Sequence, residues 1–345
     1  MQDYYQAAGC LRRTLALVAR TCWPAHAAPA PLPAPTAGMA TTARDGQRYL
    51  AVADPNFFTE QPTRLLQVFY ESAQHGLPLA DVALQHVRHS LPLADDAFRR
   101  DPLNAQHFLA ICGNAAAAGR VLRQMDAAGL LGAYLPEFDA VRGLLRYQDF
   151  HHYPVEEHTL RVVEALSHLD RESGVTGMLR STLESLERPD LLVVALLLHD
   201  LGKGDEADHV TAGRRIAHDI ATRLHLPPGD EAAIEQLVAL HLRMTHIALY
   251  RDTDDVDVIL QFAQEVVTIE RLRQLFLLSY ADLWGVAPNV WNEWKGALLA
   301  KLYIRTSRVL QGRAAIALDD DYWRLPKARA IAQQAPEQAE RSVQK

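Results

Sequence analysis

The stretch Leu191–Gly204, LLVVALLLHDLGKG, decides how the rest of the chain is read. Eight apolar residues, Leu191 to Leu198, run directly into His199-Asp200, and Gly202, Lys203 and Gly204 follow. A run this apolar, and far shorter than the ~20 residues a bilayer crossing needs, predicts a buried core helix over Asp190–Leu201. At its end an imidazole and a carboxylate stand about 100° apart around the helix, where both can converge on one metal ion. The glycines are expected to stop the helix and to leave Lys203 beside whatever the metal binds. A His-Asp pair at a helix end can also simply cap and pair. Three further candidate ligands, His158, His241 and Asp282, fall near the ends of other predicted helices and favour the metal.

Composition narrows the classes. The 345 residues are 49% hydrophobic and 22% charged, a globular balance with enough chain for one large core or two moderate ones. A net charge of -7 argues against a general nucleic-acid binder. Fifteen histidines make a His-lined site worth seeking. Cys10, Cys22 and Cys112 are scattered without CxxC spacing, so reduced, intracellular thiols are expected rather than a disulfide frame or zinc–thiolate site. Leu11–Ala28 has some features of a secretion signal, but Arg20 interrupts it and polar residues precede it. No stretch is long enough to span a membrane, and a cytoplasmic location is expected.

In chain order, helical spacing of Tyr5, Leu11, Leu15 and Val18 predicts a helix within residues 1–23, and residues 24–39 read as a Pro/Ala-rich linker. A first helical domain is expected over residues 40–145. It opens with a weak hairpin signal, Thr41–Val52 around Asp45-Gly46. Helices follow over Thr63–Gln74, Leu79–His89, Asp101–Cys112 and Ala115–Ala128, then an apolar connector Leu130–Phe138. A second domain is expected over 146–325. Its helices are Glu156–Leu169 bearing His158, the core helix, His209–Leu224, Asp230–Leu242 delivering His241, Val256–Val267, Glu270–Asp282 ending in a carboxylate, and Asn292–Leu310. Residues 326–345 lack an apolar period and read as a frayed or disordered tail. The fold class is all-α, with one short β-hairpin.

The order His158, His199-Asp200, Asp282 resembles the signature of the HD metal-dependent phosphohydrolases. The resemblance extends to one family of them, the bifunctional uridylyltransferase/uridylyl-removing enzymes that modify the PII nitrogen-signalling protein. It is carried by Phe98-Arg99-Arg100-Asp101-Pro102, by Leu122–Phe138 (LRQMDAAGLLGAYLPEF) and by Phe150–Val163 (FHHYPVEEHTLRVV). HDLGKG, Asp208-His209, His241 with Met244, Ala281-Asp282 and Trp291-Asn292-x-Trp294-Lys295 continue it, so it covers roughly residues 1–310. It implies a helical HD domain preceded by a small helical domain. The family's nucleotidyltransferase and ACT domains have no counterpart here, so transferase activity and glutamine control are expected to be absent, whether the chain is a fragment or a shortened relative. Three local departures stand out. Leu240-His241 replaces a His-His pair, and Trp284 and Val286-Ala287 follow Asp282 where polar residues are usual.

The resemblance implies one divalent ion held by His158, His199, Asp200 and Asp282: Mn²⁺ or Mg²⁺ first, Fe²⁺ or Zn²⁺ as alternatives. Asp200 is then expected to orient or deprotonate water, and Lys203 to neutralise phosphate charge. His209 and His241 would serve as phosphate donors or second-metal ligands, or else as solvated helix-end residues. The implied partner is uridylylated PII-type protein, with a small nucleotide as the alternative substrate; a module that binds without turnover is the third reading. No nucleic acid or membrane is expected, and oligomeric state is open. Trp291, Trp294 and Tyr303 at helical spacing read as core before a nucleotide platform. Arg251-Asp252 reads equally as a phosphate clamp or an ion pair, and Asp252, Asp254, Asp255 and Asp257 as a solvated helix start.

Overall fold

The computed structural model describes residues 38–44, 46–145, 153–169, 174–204 and 209–312. The expected helix at 2–23, most of the Pro/Ala linker, Asp45, Asp208 and the tail at 326–345 lie outside the described residues. Met39–Arg44 (β1) and Gln47–Val52 (β2) form an antiparallel hairpin with Met39 opposite Val52. Everything else with regular structure among the described residues is helical. The short α1 (Phe57–Glu60) leads to α2 (Arg64–His75), α3 (Asp81–His89), α4 (Asp96–Arg100), α5 (Pro102–Gly113) and α6 (Ala115–Ala128). The apolar connector resolves into two short helices, α7 (Leu130–Tyr134) and α8 (Pro136–Ala140). Then come α9 (Val155–Ala165), α10 (Val175–Glu184), α11 (Pro189–Leu198), α12 (His209–Arg223) and α13 (Pro228–Leu240). The chain continues through α14 (Arg243–Tyr250), α15 (Val256–Val266), α16 (Ile269–Val286) and α17 (Glu293–Leu310). None of these is long and apolar enough to cross a membrane.

By packing, the chain divides into two compact units, one from residues up to His168 plus Arg188–Ala239, the other from Leu169–Glu187 plus residues from Leu240 on. The centre of the first is α11. Every residue from Leu191 to Leu198 is buried, on all sides of the helix, as its unbroken apolar run demands. It packs on α5, α6, α9 and α12. The helix stops at Leu198, earlier than the pattern predicts, and after His199-Asp200 the backbone tightens into a 3₁₀ turn, Leu201–Gly204. Gly202 acts by close approach rather than by ending the helix. A Cβ there would lie 2.0 Å from the His209 carbonyl oxygen and 2.6 Å from the Gly213 nitrogen. The absence of a side chain lets α12 seat directly on the turn that follows the His-Asp pair.

Two polar clamps hold the frame around α11. Arg123 on α6 forks onto Glu164, with Nη2 2.7 Å from its Oε2, and reaches Glu157 at 3.0 Å, both on α9. Gly119 permits this approach, since a Cβ there would fall 2.8 Å from Glu164 Cα. Arg223 on α12 makes two 2.9 Å hydrogen bonds to the Glu137 carboxylate on α8. Planar forks of this kind fix orientation as well as distance.

The second unit is built on the pair α16 and α17. Residues Leu272 to Leu283 of α16 are almost all buried. Phe276 stacks on Tyr303 at 4.6 Å between centroids, and Tyr280 meets Trp291 edge-on at 4.8 Å. Tyr303 and Trp291 are therefore packing residues, as expected of the core. α16 does not end at Asp282: buried Leu283 and Gly285 carry it on to Val286. Asp252, Asp254 and Asp255 serve the backbone and α17. Asp255 caps α15 through the Asp257 N–H, and Asp254 binds Lys301 at 2.6 Å and Arg305 at 2.9 Å. α10 and α14, which the periodicity does not predict, also belong to this unit.

Candidate metal centre

The first unit brings three predicted ligands together. His158, in the first turn of α9, is 1% exposed; His199 and Asp200, at the end of α11, are each 3% exposed. His158 Nε2 and His199 Nε2 are 3.3 Å apart, and Asp200 Oδ2 lies 3.6 and 3.4 Å from them. His199 Nδ1 is 2.8 Å from the Leu196 carbonyl oxygen. A carbonyl only accepts, so Nδ1 carries a proton, and in the neutral ring Nε2 keeps its lone pair for a cation. Two imidazole nitrogens and a carboxylate oxygen thus form a triangle of nearly equal sides. A point equidistant from the three lies about 2.0 Å from each, the usual distance from a divalent ion to nitrogen or oxygen ligands. The donor set fits a divalent cation.

The electrostatics agree. Burial pushes the Asp200 carboxyl up, but His199, Lys203 and His158 outweigh it and hold the group well below the usual carboxylate range. Lys203 Nζ donates to Asp200 Oδ2 at 2.7 Å, and the Lys203 backbone N–H donates to the Asp200 carbonyl at 3.0 Å. The lysine therefore serves the carboxylate, where the sequence placed it toward the substrate.

Of the other predicted residues, His209 belongs to the first unit, and His241 and Asp282 to the second. His209 opens α12 on an exposed position. His241, just beyond α13, is 4% exposed, and Asp282, one turn before the end of α16, is 8% exposed. Arg251 and Asp252 form no ion pair with each other among the described residues. Of the remaining histidines, His75 pairs with Glu71 at 3.1 Å, His89 binds the Gln85 carbonyl, and His107 stacks on Tyr70. The Gly202–α12 contact and the Arg123 clamp behind His158 were not foreseen. Neither leaves a local sequence signal beyond a glycine and an arginine.

Residues 155–274 match the HD domain family, so this part of the chain carries an HD domain. Residues 44–134 match the family described as uridylyltransferase GlnD third domain. The two matches, in this order, resemble the central and HD portion of the PII-modifying enzyme.

Proposed function

We propose that this chain is a metal-dependent phosphodiester hydrolase that removes UMP from a uridylylated PII-type protein. The observation that carries the reading is the His158–His199–Asp200 triangle, buried and tautomerically set for a cation, in a chain that also matches the GlnD third domain. Asp282, buried and able to offer one oxygen, is the proposed fourth ligand. A divalent ion there supplies Lewis-acid polarisation of a phosphoryl oxygen and a lowered pKa for water.

The chain's own residues do the remaining work. The Leu196 carbonyl keeps the His199 proton on Nδ1, so the imidazole cannot turn its N–H toward the cation. Lys203 balances the Asp200 charge and keeps the carboxylate ionised, ready to orient water. His209 and His241 are the proposed phosphate donors. Water adds its oxygen to phosphorus and the bond to the tyrosine oxygen breaks. The proton passes to that oxygen, leaving UMP and the free tyrosine.

The test is release of UMP from uridylylated PII with Mn²⁺, with Asp200→Ala as control. Release that disappears in the variant supports the reading. If PII stays modified while the same protein cleaves bis-(p-nitrophenyl) phosphate and Asp200→Ala does not, the substrate is another phosphoester. If neither substrate turns over with metal bound, the chain is a binding module.

A further inference from the structure

Among its described residues, the second unit holds a cation without a counterpart. On α17, Lys301 and Arg305 both bind Asp254, and Arg305 also reaches the Thr253 carbonyl at 2.9 Å. Lys295, in the first turn of the same helix, makes no side-chain hydrogen bond or ion pair among the described residues. Only its backbone N–H is engaged, donating to the Asn292 cap at 3.0 Å. The side chain is nonetheless half-buried, and burial pulls its pKa below the ordinary lysine value. A cation withdrawn from water without an anion is a cost the fold has not offset.

Its position says what that cost serves. Lys295, Leu299 and Tyr303 recur every four residues and so share one stripe of α17. Tyr303 rests on Phe276, which puts this stripe against α16. The two helices form an antiparallel hairpin, with Tyr280 and Trp291 in contact near its closed end. Lys295 is eight residues before Tyr303 and Trp284 is eight residues after Phe276, so the two stand level. That is about 3 Å along the axis from Asp282. Trp291 packs its ring on Gly296, the neighbour of Lys295, with 3.0 Å from the ring to the place of a Cβ. Lysine, the aromatic rings and Asp282 thus occupy one end of one hairpin.

We propose that Lys295 is a substrate-binding residue whose ammonium receives the phosphate-ester anion at the Asp282 end of the α16–α17 hairpin. The proposal rests on the phosphohydrolase reading, since that supplies an anionic ester as the ligand. It assigns the first turn of α17 a role in holding substrate. A compact ammonium suits an anion whose orientation is set by other groups.

The test compares Lys295→Met, which keeps an unbranched stem over the aromatic rings, with Lys295→Arg, which keeps the charge. Michaelis parameters for bis-(p-nitrophenyl) phosphate with Mn²⁺ and the inhibition constant of UMP are measured beside Tm and bound Mn²⁺. Lys295→Met is expected to raise KM and the UMP inhibition constant about tenfold, the scale of one charge-assisted hydrogen bond. Tm and Mn²⁺ content stay at wild-type values, and Lys295→Arg recovers part of the loss. Unchanged KM and inhibition constant in Lys295→Met overturn the proposal and leave the side chain as a cover for the rings. If the wild type hydrolyses nothing, the functional reading fails, and calorimetric titration of UMP into the Mn²⁺-loaded protein decides the inference alone. Binding weakened about tenfold by Lys295→Met sustains it; equal binding, or none to the wild type, overturns it.

Discussion

Replacing Gly202 by alanine probes the contact on which the metal centre is mounted. The new methyl carbon would sit 2.0 Å from the His209 carbonyl oxygen, 2.6 Å from the Gly213 nitrogen and 2.9 Å from its Cα. All three are backbone atoms, so no side chain can swing aside. An ordinary carbon–oxygen contact is about 3.3 Å, and relief requires the start of α12 to retreat by about 1.3 Å. Overpacking against backbone costs about 1–3 kcal/mol, and the upper end is expected here. At about 2–4 °C per kcal/mol for a unit of this size, the melting temperature should fall on the order of 6–12 °C. Gly204→Ala is the matched control, because among the described residues its Cβ would meet only Val141 Cγ1 at 3.5 Å, an ordinary contact. Its expected change is within about 1 kcal/mol, of either sign. Thermal unfolding of both variants, followed by circular dichroism, with Mn²⁺ affinity measured alongside, gives the comparison. The turn bearing Lys203 moves in Gly202→Ala, so affinity should weaken about tenfold in that variant alone. If Gly202→Ala melts with Gly204→Ala and binds Mn²⁺ equally, the close seating of α12 on this turn is refuted.

Further expectations follow from other sites. Val267, a β-branched residue, has φ 72 and ψ -48 and closes a tight turn through Thr268 N–H to the Val266 carbonyl at 2.9 Å; its side chain is 57% exposed. Val267→Gly should therefore stabilise the protein by about 1 kcal/mol in urea unfolding, and destabilisation would show that the backbone is unstrained there. Burial pushes the Glu137 carboxyl up, but its hydrogen bonds and charge pairing with Arg223 hold it below the ordinary value. A depressed carboxylate pKa adds stability that is full above the unfolded value of about 4.3 and is lost as pH falls through the folded one. The stability gap between wild type and Glu137→Gln should thus be widest near pH 6–7 and close below pH 4; a gap constant with pH would contradict this sign. Mn²⁺ at about a hundred times its dissociation constant should stabilise the protein by about 2.7 kcal/mol, reversibly with EDTA. His158→Ala should abolish that shift, and a variant that still responds fully would place the ion elsewhere.

Much of the fold is written in local pattern. The eight apolar residues ahead of His199 can be covered on all sides only in a core, and Ala115–Ala128, between Asn114 and Gly129, carries both its start and its stop. The hairpin at 39–52 followed from Asp45-Gly46 between short runs. Helix α14, only eight residues long, gives its apolar positions too few turns to establish a period, and α10 carries Gly177 within a mostly polar surround. The extent of α16 is a related case: a carboxylate resembles a helix end, and only the folded chain carries the helix on through buried Leu283 and Gly285 to Val286.

The sequence by itself determined the helical class, the central helix and the identity of the donors, because residue type and spacing along one helix are local properties. Tertiary structure alone decided that two Nε2 atoms and one carboxylate oxygen share a point, since His158 and His199 are separated by forty-one residues and are brought together by α9 packing on α11. It alone assigned Lys203 to Asp200, gave Gly202 its purpose and left Lys295 without an anion among the described residues. Each of those depends on what lies opposite a side chain across a packed interface, and no spacing along the chain records that.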